Sequence, residues 1–333
     1  MAQRNTPHIG LAPLPQEAAI PVQFARPEPA SIVALAPPRS IPPAWWIGSY
    51  SRLTYGARHE GAAVDHDRRA QVRALDGEAE VAAIAADDIL RFPRGTAAGT
   101  CLHKVFESID FADPATWPGA IGTALNEYPQ SLAHGDAAVL LPSMLTRMLT
   151  DVLDTPLPGG FRLADVSTPR KLIELEFNLP SQQLTVGGLV GVLRDHGYPV
   201  PPLNFSSFSG YLRGFIDLIF EHDGRFYIVD WKSNFLGDTP AHYGRDALAQ
   251  AMEEHGYHLQ YLLYTLALHR YLQFRRADYS YEDLFGGVFY FFVRGMRPGW
   301  IDMDGAPLGV YAERPALRTI ESLAALLDPR GDE

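Results

Sequence analysis

The 333-residue sequence has a single cysteine, Cys101, so it forms neither an intrachain disulfide nor a zinc cluster of several thiolates. Such sparing use of cysteine fits a reducing compartment. Lysine is almost as scarce, with Lys104, Lys171 and Lys232 the only three among 28 basic residues. None of them stands in a G-x-x-x-x-G-K-[ST] setting, which excludes a P-loop, and no ATP site is expected in this chain. No stretch approaches 18 consecutive apolar residues, so no membrane span is expected. The N-terminus lacks the basic-then-apolar layout of a signal peptide, and a cytoplasmic location is the expectation. Positive charge is short too: 28 Lys and Arg face 39 Asp and Glu, a net charge of −11. That balance argues against a uniformly basic surface for coating nucleic acid. It leaves room for a local basic groove, a metal site or a protein partner.

What is abundant is apolar residues, at 47 %, with charged residues at 20 %, the proportions of a soluble globular chain. Proline is concentrated at the start, where residues 1–43 hold 10 of the 27. Proline removes backbone donors and blocks regular structure, so residues 1–44 read as an extended, poorly ordered tether. Residues 45–91 read as a linker with one short ordered piece around Trp45-Trp46-Ile47, followed by a charged, Gly/Ala-rich loop over 56–80. A compact domain is expected over 92–333.

Within that domain Thr96 is a candidate cap for a helix carrying Leu102, Val105, Phe106 and Ile109 at i, i+3, i+4, i+7 spacing. Helical patterns recur at 118–127, 136–153, 184–197, 243–254, 257–275 and 315–327. Lys171–Leu179 alternates like a strand that ends at Pro180. Two strand-like runs, Tyr211–Glu221 and Arg225–Lys232, flank a His222-Asp223-Gly224 turn signal and predict a hairpin. Gly286–Arg294 reads as a buried strand. The order predicts a mixed α/β core, with helices packed on a sheet.

The hairpin carries the chemistry. Asp217 lies in the apolar run Gly214–Phe220; Asp230 and Lys232 lie on its partner strand, on one face because side chains alternate. Two carboxylates and an ammonium would then meet at the edge of an apolar sheet. Like charges there are costly unless a cation joins them, and oxygen ligands favour a hard ion such as Mg²⁺. A pair of salt-bridged aspartates satisfies the same residues. Gln260 and Tyr264 lie four apart on one helical face, able to pack beside this site or to form an ordinary half-buried face. Glu174 and Glu176 share a strand face, reaching a metal or simply solvated. His103, next to the first helix's apolar stripe, is a metal-ligand candidate or a plain helix histidine. His258 and His269 are read as structural.

Taken in order, several segments are similar to one family. They are Phe92-Pro-Arg-Gly-Thr96, Gly99–Glu107, Glu174–Pro180, Gly214–Phe220, Asp230-Trp-Lys-Ser-Asn234, Tyr257–Tyr271 and Phe285–Gly295. From about Trp45 onward the chain resembles the C-terminal nuclease domain of RecB-type subunits of the RecBCD helicase–nuclease (exodeoxyribonuclease V), within the PD-(D/E)xK nuclease superfamily. The resemblance implies a restriction-endonuclease-like core, a mixed central sheet flanked by helices, and Mg²⁺-dependent hydrolysis of single-stranded DNA in double-strand break repair and recombination. It implies His103, Asp217 and Asp230 as metal ligands and Lys232 as the catalytic lysine. Gln260 and Tyr264 match the family's Q-x-x-x-Y helix motif, and Glu174 matches its glutamate on the strand before the hairpin. Ile216 precedes Asp217 where a strict P-D would have proline.

The implied partners are DNA, RecC-like and RecD-like subunits, a RecB-type helicase motor and a RecA-like recombinase. RecB subunits carry a long helicase motor that this sequence lacks, so a separated or truncated domain, or one chain of a split enzyme, is expected. Arg94, Arg213 and Arg245 are candidates for the DNA path. The other reading is a non-catalytic docking module for a recombinase or partner subunits, against which the intact Asp217, Asp230 and Lys232 argue.

Overall fold

Runs of apolar residues with polar breaks at fixed places build a sheet that is covered on both faces. The computed structural model describes residues 45–55, 84–132 and 134–328. The tether expected over 1–44 lies outside the described residues, as does the loop over 56–80. In chain order the strands are β1 (Trp45–Gly48), β2 (Lys171–Thr185), β3 (Ser207–His222), β4 (Arg225–Lys232), β5 (Phe285–Phe292) and β6 (Val310–Glu313). The helices are α1 (Tyr50–Tyr55), α2 (Thr96–Ser108), α3 (Trp117–Glu127), α4 (Ala137–Asp154), α5 (Val186–Asp195), α6 (Arg245–Glu254), α7 (Tyr257–Arg275), α8 (Tyr281–Leu284) and α9 (Leu317–Leu327). Among the described residues the strands form one six-stranded mixed sheet in the order β1-β3-β4-β5-β6, with β2 also paired to β3. Among them, too, no helix is long and apolar enough to cross a membrane.

The two faces have separate cores. Leu212, Ile219, Ile228, Val288 and Phe292 pack with α7, whereas Leu218, Phe220, Val229, Trp231, Phe289 and Phe291 pack with α2, α3 and α4. Helix α7 is apolar on nearly every side, as a helix held between the sheet and further elements must be, and buries Leu259, Leu262, Leu263 and Leu266. The β3–β4 hairpin turns as its Asp-Gly pair predicts. Asp223 (φ 48°) and Gly224 (φ 76°) both take the left-handed conformation that a two-residue type I′ turn requires, between the paired His222 and Arg225.

Three expectations need correction. Trp45–Gly48, read as a piece of a linker, is a strand of the sheet, paired parallel with β3 from Ser209 to Leu212. Pro180 does not end β2; it pairs opposite Tyr211, and the strand runs on to Thr185 through an irregularity between Ser181 and Leu184. Among the described residues β2 pairs with β3 alone, so a residue without an N–H is tolerated on its other edge. Thr96 does not cap α2. The N-cap is Gly95, whose φ of 100° favours glycine, and Thr96 is the first helical residue.

A short 3₁₀ turn, Ile89–Arg91, leads towards α2 and is capped by Asp88, whose Oδ1 accepts from the Leu90 N–H at 2.9 Å. The same carboxylate takes two bonds of 2.7 Å from Arg297. Burial pushes the Asp88 carboxyl up, but the Arg297 and Leu90 donors outweigh it and hold the group below its ordinary value. A depressed carboxyl stabilises the fold above its unfolded pKa and loses that contribution as pH falls through the folded value. Asp88→Ala is therefore expected to cost about 2–3 kcal/mol near neutrality, by urea unfolding. The gap to the parent is expected to close as the pH is taken down below about 4.

Candidate active site

The site forms where two strands part. β3 is paired with β2 along most of its length; its other edge is shared by β1, up to Leu212, and by β4, from Leu218 onward. Between them, residues 213–217 have no strand partner on that edge among the described residues, while β4 continues to Lys232 against β5. The side-chain alternation also slips here, since Ile216 packs with the α7 layer but Leu218 with the α2 layer. Asp217 closes the fork. Its Oδ2 accepts from the Trp231 backbone N–H at 2.9 Å, taking a donor that the diverging strand no longer meets.

Through this fork, helices from both faces reach the same groups. From α2, His103 Nδ1 stands 3.5 Å from Asp217 Oδ2. Phe106, one turn further on, stacks on Trp231 with ring centroids 4.0 Å apart and planes 10° from parallel, which fixes α2 against β4. From α7, Gln260 Oε1 accepts from Lys232 Nζ at 3.3 Å and from the Tyr290 hydroxyl at 3.0 Å, while its amide donates to the Tyr264 hydroxyl at 2.9 Å. Lys232 lies over the Tyr257 ring, 3.9 Å from its centroid, and 5.1 Å from that of Tyr290. Its Nζ is 2.6 Å from Asp230 Oδ1, a buried ion pair. The side chains of Asp230 and Lys232 are 3 % and 5 % exposed, against 13 % for Asp217 and 21 % for His103, so solvent reaches the site from the α2 side.

Burial pushes both aspartates above their ordinary range, more than the attractions of His103 on Asp217 and Lys232 on Asp230 offset, and Asp217 raises Asp230 further. Loss of hydration lifts Glu174 as well, helped by the charges of Glu107 and Asp230, although this side chain is exposed on β2. Glu174 is opposite Asp217 in register, between the pairs Ile173–Leu218 and Leu175–Ile216. Its φ of 54° is left-handed, a conformation that costs a non-glycine residue about 1–2 kcal/mol. Glu174 shares its field with His103, Glu107 and Asp230, whereas Glu176 pairs with Arg213 Nε at 2.9 Å and with Asn178 at 3.2 Å.

Among the described residues no three histidine, cysteine or carboxylate side chains stand together as a ready metal cage. The donor set nevertheless fits a hard divalent ion. Burial, and to a lesser degree their neighbouring charges, raise two nearly buried carboxylates and a third at the rim above their ordinary pKa values, and an imidazole adjoins them. A dication among them would lower all three acids at once.

The remaining candidates are placed elsewhere. His258 Nδ1 and His269 Nδ1 each meet a tyrosine hydroxyl at 3.0 Å, that of Tyr261 and Tyr279. Arg94 lies over the Phe235 ring, and Arg245 is exposed in the first turn of α6. Tyr257, Tyr290 and Arg294 belong to the site's surroundings but were not singled out by sequence. Tyr290 carried a signal, as the one polar side chain in Val288–Val293, and in the parallel β4–β5 ladder it is paired with Asp230. Arg294 is fully buried; it donates to the carbonyls of Ser233 (2.7 Å), Ile89 (2.9 Å), Phe92 (3.0 Å) and Pro93 (2.6 Å).

Residues 67–327 match the PD-(D/E)XK nuclease superfamily. The chain is 39 % identical over 292 residues to the RecBCD enzyme subunit RecB of Escherichia coli, covering 85 % of this chain and 23 % of that protein. It is 39 % identical over 241 residues to RecB of Haemophilus influenzae, covering 71 % of this chain and 19 % of the relative. With RecB of Mycobacterium tuberculosis it shares 32 % identity over 324 residues, 87 % of this chain and 29 % of the relative. The chain thus spans between 19 % and 29 % of the length of these curated relatives.

Proposed function

The chain belongs to the PD-(D/E)XK nuclease superfamily, and from that membership we propose that it hydrolyses phosphodiester bonds of single-stranded DNA with Mg²⁺. It would do so as the nuclease part of a RecBCD-type helicase–nuclease in double-strand break repair and recombination, in the cytoplasm. RecC-like and RecD-like subunits and a RecB-type motor would be its partners, with a RecA-like recombinase receiving the product strand. The observation that carries the reading is the convergence on one strand fork of Asp217, Asp230 and Lys232 with His103 from one layer and Gln260 from the other.

His103, Asp217 and Asp230 would hold the ion, with Glu174 at its rim. When bound, the ion supplies a polarised phosphodiester and a water of lowered pKa. The protein's own groups do the rest. The Trp231 N–H fixes the Asp217 carboxylate, and the Phe106–Trp231 stack fixes the helix that carries His103. Gln260 and the Tyr257 face orient the Lys232 ammonium, which is suited to hold a phosphate oxygen and to stabilise the charge that builds on it in the transition state. Burial removes competing water, so each of these interactions is stronger than at a surface. Contacts to the DNA backbone rather than base edges would make cutting sequence-tolerant.

End-labelled single-stranded DNA is the test. Cutting is expected with Mg²⁺, is expected to stop on chelation, and is expected to be absent from Asp230→Ala with or without the ion. Metal-independent cutting, or an equally active Asp230→Ala protein, would remove the proposal.

A further inference from the structure

We propose that a cavity next to the end of β4 binds nucleobases of single-stranded DNA and sets how the strand is led to the acids; this deepens the nuclease reading and rests on it. The cavity has a volume of about 530 Å³, within the range of small-ligand sites. Its wall is apolar, from Leu90, Phe92, Leu132, Leu140, Met144 and Phe235. Two exposed arginines, Arg91 and Arg94, also line it, together with His134 and Asp238. An apolar slot with an aromatic face suits a base, guanidinium groups beside it suit the adjoining phosphates, and the remaining polar side chains can meet base edges. The Arg94 guanidinium lies over Phe235, 3.3 Å from the ring centroid, so the wall already holds one cation–π contact of the kind that supports base stacking. Arg91 and Arg94 give this wall positive charge, which complements the phosphates of a polyanion.

The cavity is also mechanically continuous with the acids. Phe235 follows Lys232 by three residues, at most about 11 Å of chain. Arg294 binds the carbonyl of Ser233, just past the end of β4, and those of Ile89, Phe92 and Pro93, in the segment that also lines the cavity. Wall and catalytic strand therefore move as one piece, and a base seated in the cavity would place a phosphate a few nucleotides along at a fixed distance from Asp217 and Asp230.

The test measures binding without cutting. A fluorescent oligothymidylate is titrated in EDTA by anisotropy against the parent, Arg94→Glu, Phe235→Leu and a distant control of equal charge change, Arg318→Glu. A 5-iodouracil oligonucleotide is crosslinked in parallel and the modified peptide mapped. Arg94→Glu and Phe235→Leu are each expected to weaken binding about tenfold, the control less than twofold, with crosslinks at 91–94 or Phe235. Hydrolysis of a small chromogenic phosphodiester, too short to reach the cavity, is expected to stay within about twofold of the parent in both variants. Because Arg94 is exposed, its variant folds whatever the fate of Phe235→Leu. Unchanged affinity in Arg94→Glu, no binding by the parent, or crosslinks confined elsewhere would overturn the proposal. Metal-dependent cutting with unchanged affinity sinks the cavity alone; crosslinking at Phe235 by a protein that never cuts sinks the nuclease reading alone.

Discussion

Lys232→Met is expected to slow Mg²⁺-dependent hydrolysis of single-stranded DNA by about 10²–10⁴-fold, the range for losing a positioned acid–base or charge-stabilising group. Methionine keeps most of the volume between the Tyr257 and Tyr290 rings but removes the ammonium from Asp230 Oδ1 and Gln260 Oε1. The loss acts twice. The transition state loses a cation, and Asp230, already raised by burial, loses the charge that most restrains it. Its carboxyl then rises further, so the ionised form that a metal needs is reached only at higher pH. The residual activity of Lys232→Met is accordingly expected to climb through a midpoint at higher pH than the parent's. Single-turnover rates across a pH series measure both effects, and a variant of parental rate and profile would contradict them.

Arg294→Met is expected to have the largest effect on stability. The buried guanidinium is donor to four carbonyls, and methionine leaves all of them without it. Each buried acceptor deprived of a charged donor costs about 1–3 kcal/mol, so a total of about 4–6 kcal/mol is expected, allowing for partial relaxation. For a domain of this size that is about 10 °C in Tm. Arg294→Lys is not expected to restore it, since an ammonium cannot span the fork of acceptors that the planar group reaches. Activity is expected to fall alongside, because the same bonds tie the entry to α2, and hence His103, to the strand of Asp230 and Lys232. Thermal unfolding with and without the lysine variant checks the argument, and a Tm within 2–3 °C of the parent's would contradict it.

Much of the chemistry was legible because it is local in sequence. The Asp-Gly pair fixed the hairpin, the two-residue period put Asp230 and Lys232 on one face, and the four-residue spacing put Gln260 and Tyr264 on one side of α7. What could not be read was set by pairing between distant segments. The fork exists because β1 and β4 share one edge of β3 and leave a gap, and no periodicity within β3 announces it. Glu174 and Glu176 look equivalent by alternation, yet Glu174 feels the charges of His103 and Asp230 while Glu176 pairs with Arg213. Pro180 reads as a terminator but survives on the edge of β2 away from β3. Thr96 has the chemistry of a cap, while the entry to α2 needs the φ of Gly95. Arg294 is indistinguishable by sequence from a surface arginine; only the approach of the 89–93 segment to the end of β4 gives its guanidinium four acceptors.

The proposed mechanism depends on one physical step, the binding of a divalent cation by the buried acids at the strand fork. Titration with Mn²⁺, followed by its electron paramagnetic resonance signal, tests this without any substrate. The parent is expected to bind the ion, with affinity reduced at least tenfold in His103→Ala and abolished in Asp217→Asn and in Asp230→Asn. Equal Mn²⁺ binding by the parent and both aspartate variants would contradict the account.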